Sequence, residues 1–212
     1  MPGAWEIQRA DVLVAILTRE IVATKWAASL RDLQLPPNSN IVWFSGMPFD
    51  HARNTACQRA LEHNYKWLFF LDDDVLAPSD TIPRLIAHNK PIISGLYYRR
   101  AAPISPVMLR ETPQGTTWIN DFTAGELCSV DLVGAGCLLI STQVLRQVPW
   151  PWFDWLLDHP ELPERERCSE DFAFCRKARK VGHQIMVDTS IQCLHIGLGQ
   201  SGLGGTFTPV KM

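Results

Sequence analysis

The sequence predicts an α/β domain built on a mostly parallel central sheet, and three observations carry that expectation. Short, branched apolar runs at 12–17 (VLVAIL), 41–45 (IVWFS), 66–71 (KWLFFL) and 92–97 (IISGLY) have the composition of buried strands. Segments with helical spacing of apolar residues separate them. The chain has 212 residues, 46% hydrophobic and 20% charged, which suits one globular domain with a substantial core.

The elements follow in order. After the first strand, Thr18-Arg19-Glu20 forms a turn. Ile21, Trp26, Leu30 and Leu33 then give a helix over 21–33, which Pro36-Pro37-Asn38 ends. Asp50 is placed to cap a helix over about 51–64, with Ala56, Ala60 and Leu61 inward. Pro78-Ser79-Asp80 opens another helix, to about His88. Residues 104–133 read as short alternating stretches with turns, and 137–141 (CLLIS) as one more buried strand. Ser169 is the expected N-cap of a helix over about 170–181, stopped by Gly182, with a short strand at 184–188 beyond it. The whole chain, 1–212, reads as a single domain, with a flexible, glycine-rich tail or lid from about 197 to 212.

A net charge of −2 gives no electrostatic case for nucleic acid as the partner. No apolar run is long enough to span a bilayer, and Met1–Glu6 lacks the features of a signal peptide. The six cysteines have no C-x-x-C spacing and read as reduced, mostly buried thiols in a cytoplasmic protein. Oligomeric state is not encoded in any pattern.

Asp72-Asp73-Asp74 stands at the carboxyl end of a buried strand, where open α/β sheets bind ligands. On an extended backbone Asp72 and Asp74 share a face and Asp73 points away. Adjacent carboxylates repel, and a divalent cation offsets that cost; oxygen ligands with open positions suit Mn2+ or Mg2+ bridging phosphates. A solvated turn or helix cap is the plainer alternative. Glu170 and Asp171 complement the dipole of the following helix, and either is also a candidate general base. His195 is either a structural histidine or an imidazole ligand, and in the second case it favours manganese. Three of the eight tryptophans fall within 150–155, as an aromatic acceptor platform or as core.

Taken together, the ordered set VLVAILT (12–18), DHARN (50–54), FLDDDVLAPSD (70–80), VGAGCLLIS (133–141), SEDFAFCRKARKVGH (169–183) and VDTSIQCLHIG (187–197) resembles the GT-A glycosyltransferases, family 2-like members in particular. The resemblance implies a Rossmann-like nucleotide-diphospho-sugar transferase fold and transfer of a sugar from a nucleoside-diphosphate (UDP or GDP) donor to an acceptor hydroxyl. It implies that Asp72 and Asp74 form the D-x-D motif, with Asp73 beside them, and that His195 completes a Mn2+ (or Mg2+) site. It also places Thr18 and Arg19 in the nucleoside pocket, Arg53 against a phosphate, Asp171 as the base of an inverting enzyme, and Gly134-x-Gly136 at the floor of the sugar pocket. The A-R-N stretch at 52–54 is similar to that of Anp1-type mannosyltransferases, which retain configuration, so the stereochemistry stays open. Two other functions fit the residues: a metal-dependent sugar nucleotidyltransferase, disfavoured because Thr18-Arg19-Glu20 has no glycine, and a non-catalytic nucleotide- or carbohydrate-binding module.

Overall fold

A computed structural model describes residues 11–198 and 204–207. Its centre is a seven-stranded sheet with the order β2-β1-β3-β10-β5-β11-β8. The strands are β1 (Val12–Thr18), β2 (Asn40–Ser45), β3 (Trp67–Asp72), β5 (Ile92–Leu96), β8 (Leu127–Val130), β10 (Cys137–Ser141) and β11 (Ile185–Gln192). β1 pairs in parallel with β2 and β3, and β11 in parallel with β5. β10 is antiparallel to both β3 and β5, and β8 antiparallel to β11. β2, β1, β3, β5 and β11 therefore run one way, and β10 and β8 the other.

The apolar runs of β1, β3 and β5 are buried on both faces, as their lack of alternation implies, whereas edge strand β2 buries only Phe44. Leu13, Ala15, Leu17, Leu68 and Phe70 join one core; Val12, Val14, Ile16, Phe69 and Leu71 join the core on the opposite face. The first core is covered by α2 (Phe49–Glu62), α4 (Thr142–Gln147) and α5 (Glu170–Lys180), the second by α1 (Thr24–Arg31) and α3 (Thr81–Ala87). Phe153 seals the first core, stacked on Phe174 at 4.7 Å between ring centroids and edge-on to Phe70 at 5.4 Å.

Several boundaries differ from expectation. α1 covers Thr24–Arg31 rather than 21–33, and Trp26 is its buried residue. Pro48, not Asp50, is the N-cap of α2; Asp50 lies in its first turn. α4 is a short helix that the sequence reading passes over; the Ser141 hydroxyl caps it by accepting from Gln143 N–H. β11 runs to Gln192 with a register shift after Asp188, where the expected strand stopped at 188.

Two small sheets flank the large one. β4 (Val75–Leu76), β12 (Leu194–Leu198) and β13 (Gly204–Phe207) form the first, in the order β13-β12-β4. β6 (Met108–Thr112), β7 (Gly115–Trp118) and β9 (Leu132–Val133) form the second, in the order β7-β6-β9. Part of the stretch expected to be a tail is therefore strand: 197–198 belong to β12, and 204–207 pair antiparallel with it. The rest of that expectation, 199–203 and 208–212, lies outside the described residues. Among the described residues no helix is long and apolar enough to cross a membrane. Five of the six cysteines are buried and Cys128 is half-buried.

Candidate active site

The parallel strands β1, β3 and β5 end on one edge of the sheet, and the turn into antiparallel β10 enters at the same edge. Thr18, Asp72 and Tyr97-Arg100 are brought together there from β1, β3 and β5, with the glycine turn 134–136 between the last two.

The acidic triplet does not continue the strand. β3 stops at Asp72, Asp73-Asp74 is a turn, and β4 begins at Val75. Three ties hold this turn. The buried Trp26 indole donates to the carbonyls of Asp72 (2.9 Å) and Val75 (3.0 Å). Asp72 N–H donates to Gly136 O, and Ile196 N–H to Asp74 O. The expected sharing of one face by Asp72 and Asp74 fails for this reason, since the period-two rule holds only while the backbone stays extended.

The two carboxylates face different partners. Asp72 faces Arg53, whose Nη2 donates to both its oxygens at 3.1 and 3.2 Å. The same guanidinium donates from Nε to Glu170 Oε1 at 3.1 Å and from Nη1 to Ala135 O. It also lies 5.1 Å from the centroid of Phe70. Burial pulls the pKa of Arg53 down, but the carboxylates of Asp72, Glu170 and Asp171 outweigh it and hold it above its ordinary value. Desolvation keeps the Asp72 carboxyl above the usual carboxylate range, against the opposing pull of Arg53.

Arg53 is only 3% exposed, and four of its five N–H donors are engaged within the protein, where it clamps β3 to α5. Glu170, the other candidate base, is buried on the same clamp with its Oε1 paired to Arg53. The neighbouring Asn54 amide holds Phe153 in both directions, donating to its carbonyl and accepting from its N–H.

Asp74 faces outward. Arg100 Nη1 is 2.8 Å from its Oδ2, and His195 Nε2 is 3.3 Å from its Oδ1. Desolvation raises the pKa of Asp74, but the His195 contact and the Arg100 charge together hold it below the usual value. His195 Nδ1 lies 2.7 Å from Tyr98 O. A carbonyl only accepts, so Nδ1 carries the proton, and neutral Nε2 is then a bare lone pair aimed at a carboxylate oxygen. A ring lone pair and a carboxylate oxygen so placed suit a metal ion between them.

The pair Asp74–His195 thus fits a divalent cation, with the Tyr98 carbonyl as the outer partner that fixes the ring. Asp72 does not complete a three-donor set with them. Among the described residues no group of three or more His, Cys, Asp or Glu side chains is gathered to hold a metal.

Thr18 and Arg19 line a cavity of about 230 Å3 with Leu17, Phe44, Met47, Pro48, Phe49 and Ala52. It adjoins a more open recess of about 510 Å3 reaching Glu20 and Gly46. The Arg19 guanidinium lies over the Phe49 ring at 5.5 Å, and its backbone N–H reaches the Asp73 carboxylate. Asp171, at the start of α5, is half-buried; its Oδ1 accepts from the Ser169 hydroxyl and from Phe172 N–H. Ser169 is the N-cap as expected, but its hydroxyl serves Asp171 and not the helix backbone. Desolvation and the neighbouring Glu170 raise the pKa of Asp171 to about 6.

The glycine turn is full, not roomy. A Cβ on Gly134 would stand 2.0 Å from the Tyr97 hydroxyl, and that hydroxyl accepts from Gly136 N–H at 3.0 Å. The expected open floor is occupied by Tyr97, whose ring meets His195 edge-on at 5.6 Å. Gly134→Ala is expected to destabilise the protein by about 1–3 kcal/mol through this overpacking, measured by urea unfolding. The aromatic loop divides: Trp152 and Phe153 are core, whereas Trp150 (64%) and Trp155 (37%) remain exposed.

No protein-family profile matches the chain, and no curated protein matches it in sequence. Solved structures do. S. aureus TarS in complex with UDP-GlcNAc matches 86% of this chain and 57% of its own, with a TM-score of 0.52 and 16% identity. GalNAc-T7 with UDP, GalNAc and Mn2+ matches 90% of this chain and 44% of its own, with a TM-score of 0.58 and 13% identity. The fold is GT-A. A197 from STIV covers 94% of this chain and 95% of its own, with a TM-score of 0.65 and 17% identity. The chain is thus similar to A197 over nearly the full length of both, and spans about half of the two glycosyltransferase chains. At these identities the likeness is one of GT-A fold.

Proposed function

We propose that this GT-A domain is a metal-dependent glycosyltransferase, moving a sugar from a nucleoside-diphosphate donor to an acceptor hydroxyl. The observation that carries the reading is the Asp74–His195 pair, its imidazole fixed by the Tyr98 carbonyl, at the strand edge that also opens the Thr18–Arg19 cavity. The neighbours whose structures contain UDP-GlcNAc, or UDP, GalNAc and Mn2+, support the donor class.

In this reading Thr18, Arg19 and Phe49 receive the nucleoside, and the lone pairs of Asp72 not used by Arg53 accept from ribose hydroxyls. Asp73 braces the Arg19 loop. Asp74 and His195 hold Mn2+ or Mg2+, which when bound supplies charge neutralisation of the departing diphosphate. Asp171 takes the proton of the attacking acceptor hydroxyl, which makes the enzyme inverting. Six reduced thiols fit a cytoplasmic setting.

The test is a thermal shift measured against UDP and GDP with Mn2+ or with EDTA, followed by donor turnover. The wild-type protein should be stabilised by one diphosphate and Mn2+ together, by about 2.7 kcal/mol at a hundredfold excess over Kd. Asp74→Asn and His195→Ala should each lose the manganese-dependent part. A shift unaffected by both substitutions would remove the metal assignment.

A further inference from the structure

Resting on the donor reading above, we infer that Arg100 is a diphosphate-binding residue that competes with the divalent cation for Asp74. Its guanidinium stands 2.8 Å from Asp74 Oδ2, while His195 faces Oδ1 of the same carboxylate. One carboxylate thus meets a cation on one oxygen and the imidazole on the other. The Arg100 side chain is 54% exposed, against 24% for Asp74 and 12% for His195. The outer part of the guanidinium is therefore open to a ligand at the mouth of the site.

The chain reaches this point for a local reason. Tyr97 is pinned by Gly136 N–H, and the Tyr98 carbonyl is tied to His195 Nδ1, so the stretch leaving β5 has its course set two residues before Arg100. Arg53 is buried against Asp72 and Glu170, and Arg99 lies over the Trp118 ring at 5.0 Å. Arg100 is thus the guanidinium delivered to Asp74.

A planar guanidinium with five N–H donors suits phosphate oxygens, and it pairs with them better than with a single carboxylate oxygen. It cannot hold Asp74 Oδ2 at full strength while a divalent cation draws on the same carboxylate. Cation binding at Asp74 therefore frees Arg100, and the freed donors are already beside the diphosphate. Arg100 and the metal are rivals for Asp74 and allies on the diphosphate.

This arrangement gives two effects of opposite sign. Arg100→Gln should bind Mn2+ alone more tightly, because Asp74 loses its competing cation. It should bind UDP or GDP more weakly in the presence of Mn2+, by about tenfold for one lost charge-assisted contact. Both are read by isothermal titration calorimetry on the full chain, with thermal unfolding confirming that the variant is folded. Arg100→Lys, which keeps the charge without the fork, should restore Mn2+ competition but only part of the diphosphate affinity.

Tighter Mn2+ with weaker diphosphate supports the inference. Unchanged or weaker Mn2+ binding, or unchanged diphosphate binding in a variant whose parent binds it, overturns it and leaves the donor reading standing. If the wild-type protein binds neither diphosphate under any condition, the donor reading fails and this inference falls with it.

Discussion

Replacing Arg53 with methionine is expected to destabilise the protein by about 3–5 kcal/mol, the usual cost of removing one partner from a buried ion pair. The guanidinium is 3% exposed and bridges Asp72 and Glu170, whose side chains are 26% and 8% exposed. Methionine keeps much of the volume against Phe70 and Phe153 but leaves Glu170 as an uncompensated buried carboxylate. Adding Glu170→Gln to Arg53→Met should therefore recover part of the loss. Guanidinium chloride unfolding of the two single variants and the double variant measures the coupling. Additivity would show that Arg53 and Glu170 do not act as a unit.

Asp171→Asn is expected to lower the transfer rate by roughly 100- to 10,000-fold, the range for loss of a general base, with diphosphate binding nearly unchanged. The pH profile sharpens the assignment. A base works deprotonated, and desolvation beside Glu170 raises the Asp171 pKa to about 6. The wild-type rate should be low in acid, climb as pH rises through about 6, and level off above. In Asp171→Asn the residual rate should lose that ascending limb. Glu170→Gln should instead lower stability and keep the limb, since Glu170 acts through Arg53. A limb that survives in Asp171→Asn would remove the base assignment.

The sheet and its candidate ligand edge are legible because the signals are local. β1, β3 and β10 are uninterrupted apolar runs, and a strand that ends on three aspartates marks its own carboxyl end. Asp74 and His195 were legible as a pair of candidates. The division of labour within the triplet was not, because it depends on a turn held by Trp26, forty-six residues upstream of Asp72.

The Arg53 clamp is hidden in the sequence for a similar reason: its partners lie 19 and 117 residues away. One signal did point inward. Arg53 shares the helical stripe of Cys57 and Ala60, all three buried, and a charge on the buried stripe of a helix needs partners inside the fold. The glycine turn illustrates the opposite error. Small residues there suggest space, whereas they admit a tyrosine ring.

The position of β10 has a consequence for the order of assembly during synthesis. It lies between β3 and β5, hydrogen-bonded to both, although it comes forty residues after β5 in the chain. Of the seven-stranded sheet, the first 96 residues therefore hold three paired strands and one strand, β5, with no neighbour. Until residues 137–141 emerge, the inner edges of β3 and β5 are unpaired and open to wrong partners. The Arg53 clamp closes later still, with Glu170. A nascent chain halted near residue 130 should thus be the aggregation-prone species, and the binding edge should be among the last parts of the protein to form.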